Sequence, residues 1–268
     1  MPSFIAKKSL GQHFLHAPNV VGAMIHAARI KPDDVVLEIG PGKGVLTRGL
    51  LKTGAKVIAI EKDERAIEYM KENFATEISS LQLQLVQGDT LEIEPQNFGL
   101  EKEKYIIAAN IPYYITGEIL RKFLTAEICP ARMVLLVQKE VARRIVAADK
   151  KESILSISVK AYGQPKYIDT VPKRFFRPMP KVDSAIILID NISKEFFKGD
   201  QKEKHFFDIV HAGFAHKRKI LRGNLTKIIP AQTLQNLWTE KNWPVNARAE
   251  NFTLGQWREL VSNIEKLT

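Results

Sequence analysis

The sequence predicts an α/β doubly wound domain followed by a small all-helical one. Compact apolar runs alternate with helical patterns over the first two-thirds of the chain. Most of these runs are continuous rather than alternating, as in parallel strands covered on both faces. After about Asn191 the strand-like runs stop, and Phe, Leu and Trp recur at three- and four-residue spacing. The expected division places residues 1–191 in the first domain and 192–268 in the second.

Val35–Ile39 forms the first expected strand, and a glycine-rich turn and an amphipathic segment follow it. Val57–Ile60 repeats the pattern, with Asp63 placed to cap a helix from about Glu64 to Phe74. Further strands are expected at Leu81–Val86, Tyr105–Ala109, Met133–Val137 and Ala185–Ile189. Ser193–Lys204 is polar and charged and reads as a linker. Phe206, Phe207, Val210 and Phe214, then Leu254, Trp257, Leu260 and Val261, mark helices of the second domain.

Composition narrows the function classes. With 45% hydrophobic residues the chain can bury a core, which excludes disorder as the default. Forty Lys and Arg against 30 Asp and Glu give a net charge of +10, favouring a polyanionic partner. One cysteine, Cys129, excludes an internal disulfide and a cysteine zinc site. The six histidines show no ligand spacing, so no catalytic metal is expected. The N-terminus has no apolar run after its charges, and no stretch reaches the roughly 20 apolar residues of a membrane span. A cytoplasmic protein without a membrane partner is expected, with monomer as the default state.

Gly40, Gly42 and Gly44 lie between the first strand and its helix, after the acidic Glu38. A turn without Cβ atoms lets backbone N–H groups approach a ligand. The dinucleotide fingerprint requires a third glycine where Val45 stands. Gly-x-Gly-x-Gly after an acidic residue is the usual S-adenosylmethionine form. Glu61 ends the next strand, where a carboxylate can accept hydrogen bonds from both ribose hydroxyls. Asp89, after the third strand, can accept from an adenine amino group. Taken singly, Glu61 reads as a helix opener and Asp89 as a turn residue; together they outline a crevice at the carboxyl edge of the sheet.

Asn110-Ile111-Pro112-Tyr113 follows the fourth strand. An adenine amine is a poor nucleophile because its lone pair is delocalised into the ring. The Asn110 oxygen and a carbonyl of the same turn can accept its two hydrogens and draw the nitrogen towards tetrahedral geometry. Pro112 stiffens the turn, and Tyr113 offers a face for an unstacked base. By itself, Asn-x-Pro-Tyr is also a common tight turn.

Asn110-Ile111-Pro112-Tyr113 resembles the amino-methyltransferase motif of the ribosomal RNA adenine dimethyltransferases. The resemblance covers nearly the whole chain. Lys7-Lys8-Ser9-Leu10-Gly11-Gln12-His13-Phe14-Leu15 is similar to the family's N-terminal motif, which implies cofactor contacts at His13 and Leu15; many relatives carry Asn in place of His13. Phe175-Phe176-Arg177-Pro178-Met179-Pro180-Lys181-Val182 resembles the Phe-x-Pro-x-Pro-x-Val loop, implying that Phe176 and Tyr113 sandwich the target adenine. Gln138–Ile145 matches a further motif, whose Arg143 and Arg144 can reach RNA phosphates. The implied fold is a Rossmann-like, class I S-adenosylmethionine-dependent methyltransferase domain with a small helical domain.

Gly11-Gln12-His13-Phe14-Leu15 looks closer to the small-subunit branch than to the Erm-type large-subunit enzymes. His216–Leu225 resembles that branch's basic helix start, with Lys217, Arg218, Lys219 and Arg222 as a phosphate-contact patch. The implied partner is small-subunit rRNA on an immature subunit, methylated at two adjacent adenosines near its 3′ end. An Erm-type enzyme, a DNA adenine methyltransferase and a mainly non-catalytic assembly factor are the alternatives.

Overall fold

A computed structural model describes residues 6–7, 11–197 and 200–265. Lys8, Ser9 and Leu10 of the N-terminal motif lie outside the described residues. Among the described residues, nine strands occur in chain order: β1 (Phe14–Leu15), β2 (Val35–Ile39), β3 (Lys56–Glu61), β4 (Leu83–Gln87), β5 (Tyr105–Asn110), β6 (Arg132–Gln138), β7 (Gln164–Val171), β8 (Phe176–Arg177) and β9 (Ser184–Asp190). Seven of them form one sheet in the order β4-β3-β2-β5-β6-β9-β7, while β1 and β8 form a two-stranded sheet.

The five strands from β4 to β6 are parallel, as their apolar runs predict. β9 runs antiparallel to β6, and β7 antiparallel to β9, so the expected parallel sheet is mixed. Periodicity reports burial, not direction. Direction here follows from connectivity, because β9 returns from β7 through a loop rather than a crossover helix. β7 escapes the sequence reading because it is an edge strand: Gln164, Lys166, Ile168 and Asp169 are exposed and break the apolar run. Its register shifts between Tyr167 and Asp169, a bulge of the kind edges tolerate.

The chain divides into two compact units. One holds the described residues up to Ala142 together with Gly163–Ser193; the other holds Arg143–Tyr162 and the described residues from Lys194 onward. The chain therefore enters the helical unit twice rather than crossing once at Asn191. In the sheet unit, Val36, Val57, Ile106, Val134 and Ile186 pack with Met24, Leu50, Met70 and Phe74 from the helices. The helix Glu64–Asn73 is capped as expected, Asp63 accepting from Arg65 N at 3.3 Å.

The helical unit is assembled around aromatic rings. Trp257, fully buried, stacks on Phe214 at 5.7 Å and meets Phe252 edge-on. Phe252 in turn stacks on Trp238. The segment read as a linker is more ordered than its polarity suggests. A helix starts at Asp200 and runs to Phe214, and Phe196 and Phe197 pack against Phe206. Two adjacent phenylalanines outweigh the charged residues around them. No helix among the described residues is long and apolar enough to cross a membrane.

Candidate active site

β2 lies beside β3 on one side and β5 on the other, so the chain leaves the middle of the sheet in opposite directions. The carboxyl ends of strands at such a reversal splay their loops apart and leave a crevice. It measures about 360 Å³ here, and its walls include His13, Leu15, Glu38, Gly40, Gly42, Glu61, Asp89, Asn110 and Tyr113. All the residues expected to touch the cofactor are thus brought together from five separate segments.

The glycine turn is shaped by steric necessity. Gly42 has φ +56°, and a Cβ there would lie 2.9 Å from the Phe14 ring. Gly44 has φ +70°, and a Cβ would fall 2.4 Å from Phe74. Neither position accepts a side chain without displacing an aromatic neighbour. The turn is then fastened to Glu61, whose Oε2 accepts from Gly42 N at 3.1 Å and Oε1 from Asp63 N at 2.8 Å. Burial raises the Glu61 pKa, and these backbone donors oppose the rise.

Asp89 accepts from Lys62 Nζ at 2.6 Å and from Leu91 N at 2.9 Å. The Lys62 hydrogen bond, followed by the Leu91 N–H, lowers its pKa, so it faces the crevice as an ionised acceptor. Glu38 is different. It is fully buried on β2, and its Oε2 has no hydrogen-bond partner. Burial first, with Thr47 opposing and the charge of Glu61 adding, pushes its pKa up to about 8. A buried, unpartnered carboxyl oxygen on the crevice wall suits a cationic group.

The Asn110 turn is held by the N-terminal segment. Asn110 Nδ2 donates to the His13 carbonyl at 3.0 Å, which leaves its oxygen to accept elsewhere. Ile111 N donates to Leu136 O at 3.2 Å, and Ile115 N to Pro112 O at 3.2 Å. His13 Nδ1 donates to the Pro178 carbonyl at 2.7 Å, and its ring stacks on Tyr113 at 5.9 Å and 25°. The Tyr113 hydroxyl hydrogen-bonds Ser184 Oγ at 2.8 Å. Burial raises the Tyr113 pKa against that hydrogen bond, so the phenol stays neutral.

Phe176 departs from the expectation. Its ring is fully buried within the sheet unit's core and is not among the residues that line the crevice. Phe176 pairs with Leu15, and Phe14 with Arg177, in the β1–β8 ladder. An aromatic facing the core from a two-residue strand cannot present a face to a base in this conformation. Its backbone pairs with Leu15 in that ladder, which ties β8 to β1 beside His13.

Sequence reasoning gave no role to Lys62, Ser184 or the buried state of Glu38. A carboxylate inside the run Val36-Leu37-Glu38-Ile39 was the available signal for Glu38; the other two depend on distant segments meeting. In the helical unit, Lys217, Arg218 and Lys219 are exposed on a turn, and Arg222 lies in the short helix Leu221–Leu225. Leu221 N donates to Ala247 O and Asn224 Nδ2 to His216 O, which fix the ends of that turn. Arg143 and Arg144 are exposed on the helix Lys139–Val146.

Residues 3–266 match the family described as ribosomal RNA adenine dimethylase. A "Ribosomal RNA small subunit methyltransferase A" from Dehalococcoides mccartyi is 38% identical over 95% of this chain and 87% of its own length. The protein of that name from Fusobacterium nucleatum is 34% identical over 98% of both chains. A dimethyladenosine transferase from Plasmodium falciparum superposes with a TM-score of 0.80 at 26% identity, covering 95% of this chain and 98% of its own. The 23S rRNA methyltransferase ErmE shares the fold, with a TM-score of 0.79 at 24% identity over 94% of this chain and 99% of its own. With the glycine turn, the two acidic strand ends and the Asn-Ile-Pro-Tyr turn converging on one crevice, and a family match running almost end to end, the chain belongs to the ribosomal RNA adenine dimethylase family.

Proposed function

We propose that this chain is an S-adenosylmethionine-dependent methyltransferase that dimethylates the exocyclic amines of two adjacent adenosines near the 3′ end of small-subunit rRNA. It acts in the cytoplasm, as a monomer, on an assembling subunit. Relatives named for the small subunit support that target over the large-subunit one, because the likeness to ErmE is a likeness of fold.

The residues fit the cofactor. Glu61 has lone pairs left for ribose hydroxyls, Asp89 remains an ionised acceptor for an adenine amine, and the orphan oxygen of Glu38 suits an ammonium. Gly40 and Gly42 let the backbone line the same crevice, with His13 and Leu15 above it. When bound, S-adenosylmethionine supplies an electrophilic methyl carbon on a sulfonium.

The observation that carries this reading is the orientation of Asn110. With Nδ2 bonded to the His13 carbonyl, Oδ1 is the atom left to accept a hydrogen from the substrate amine. The Pro112 carbonyl is engaged by Ile115 N, so the Ile111 carbonyl is the natural second acceptor. Two acceptors fixed before substrate arrives draw the amine hydrogens out of the ring plane and turn the lone pair towards the methyl carbon. The amine loses its proton only after methylation has made it acidic, so no strongly shifted general base is needed. Tyr113 carries the base, a stack worth about 1–3 kcal/mol that offsets much of the unstacking cost.

Asn110→Ala is expected to lower kcat for methyl transfer by about 100- to 1000-fold, the usual effect of deleting one preorganised polar group. Calorimetry should find cofactor and rRNA affinity within a few-fold of the wild type. Undiminished turnover would remove the proposed mechanism.

A further inference from the structure

Residues 172–183 form a closed loop beside the crevice. The Asp183 side chain accepts from Lys173 N at 3.0 Å, and the Asp183 carbonyl accepts from Lys139 N at 3.0 Å. Pro172, Pro178 and Pro180 stiffen the stretch between. Three ties fasten it to the crevice wall: His16 N to Phe175 O, the β1–β8 ladder, and His13 Nδ1 to Pro178 O.

This loop carries four cations: Lys173, Arg174, Arg177 and Lys181. All four are exposed, and none has an ion-pair partner among the described residues. The one acidic residue of the loop, Asp183, is already committed to a backbone donor. The Arg174 guanidinium lies 5.2 Å from the Phe175 ring, which limits its freedom. Between the charges, Met179 and Val182 are 55% and 46% exposed. Four uncompensated cations on a proline-braced loop form a surface ordered before any partner arrives.

We propose that the loop 172–183 is a docking surface for RNA, gripping the phosphates that flank the nucleotide entering the crevice. The inference rests on the reading of the crevice as an adenosine site. RNA is the occupant that the placement favours. A base in the crevice carries its neighbouring phosphates to the rim, and this rim is cationic, rigid and tied to His13. Met179 and Val182 would then meet the bases on either side. Electrostatic grip here and base reading in the crevice are separate contributions, so they respond differently to salt.

The test uses the full chain and a synthetic RNA hairpin with two adjacent loop adenosines. Lys173, Arg174, Arg177 and Lys181 are all changed to Gln, and Kd is measured between about 50 and 200 mM salt. Each phosphate contact contributes a slope of about 0.7 to 0.9 in log Kd against log salt. The fourfold variant should lose about three units of slope and weaken hairpin binding by at least tenfold at the lower salt. The loss should appear in KM rather than kcat, and cofactor affinity should be unchanged. Single R177Q and K181Q variants should each lose about 0.7 to 0.9, while R177K and K181R should keep the full slope.

An unchanged slope in the fourfold variant overturns the proposal. So does loss of binding to vesicles containing phosphatidylglycerol with the RNA slope intact, because the loop would then serve a membrane. Should the wild type bind the hairpin with the steep slope yet transfer no methyl group, the docking surface stands and the catalytic reading fails.

Discussion

In the crevice, polar side chains are tied down before any ligand arrives. Glu61 holds two backbone donors, Asn110 donates to His13, and Asp89 is paired with Lys62. In the helical unit, the polar groups expected to meet RNA are exposed on a turn, and the order lies beneath them in a stack of Trp and Phe rings. On the function proposed above, one region would do chemistry by preorganisation and the other association by charge. Substitutions in the first should change rates by orders of magnitude, whereas those in the second should act through salt-dependent affinity or through the fold.

The strongest way to break this contrast is Trp257→Ala. The ring is fully buried, and Gly213 is small because a Cβ there would lie 2.4 Å from the indole. Truncation should destabilise the helical unit by about 3–5 kcal/mol. Thermal melts should then resolve two transitions, with hairpin affinity weakened but not lost and cofactor binding retained. Simultaneous loss of cofactor binding would show that the two regions are not separable.

Glu38→Gln sharpens the crevice side. A carboxyl whose pKa rises from 4.5 to about 8 on folding holds a proton that the unfolded chain releases. The native state therefore binds more protons across that interval, and stability falls as pH rises from about 4.5 to 8. The variant should melt like the wild type near pH 4.5 and progressively higher towards pH 8, while binding cofactor less tightly because an amide cannot give up a proton when an ammonium arrives. A difference in melting temperature that does not vary with pH would show that Glu38 is ionised in the folded protein.

Tyr113→Phe should have the smallest effect. It removes the hydrogen bond to Ser184 Oγ but keeps the ring. About 1 kcal/mol, or roughly fivefold in kcat/KM, is expected. Tyr113→Ala, which also removes the stacking face, should cost more. Equal losses would indicate that the ring does not carry the base.

The legible parts of the sequence were those governed by local pattern. Continuous apolar runs marked β2, β3, β5, β6 and β9, and the glycine and Asn-Ile-Pro-Tyr turns were readable because their residue types have few other uses at strand ends. β7 was hidden because an edge strand buries one face only and breaks the run with exposed Gln164 and Lys166. Phe206, Phe207, Val210 and Phe214 marked the helix Asp200–Phe214, but its first turns were hidden because their charge resembles a linker.

By itself the sequence determined every strand of the sheet but β7, the crevice-lining residue types, the family and the net charge, since each follows from spacing or composition along the chain. Tertiary structure alone decided that Phe176 turns into the core, that Glu38 is stripped of water, that His13 orients the Asn110 amide, and that four cations gather on one braced loop. The physical reason is that burial and hydrogen bonding between residues 97 or 165 positions apart depend on how the strands close, which no local pattern encodes.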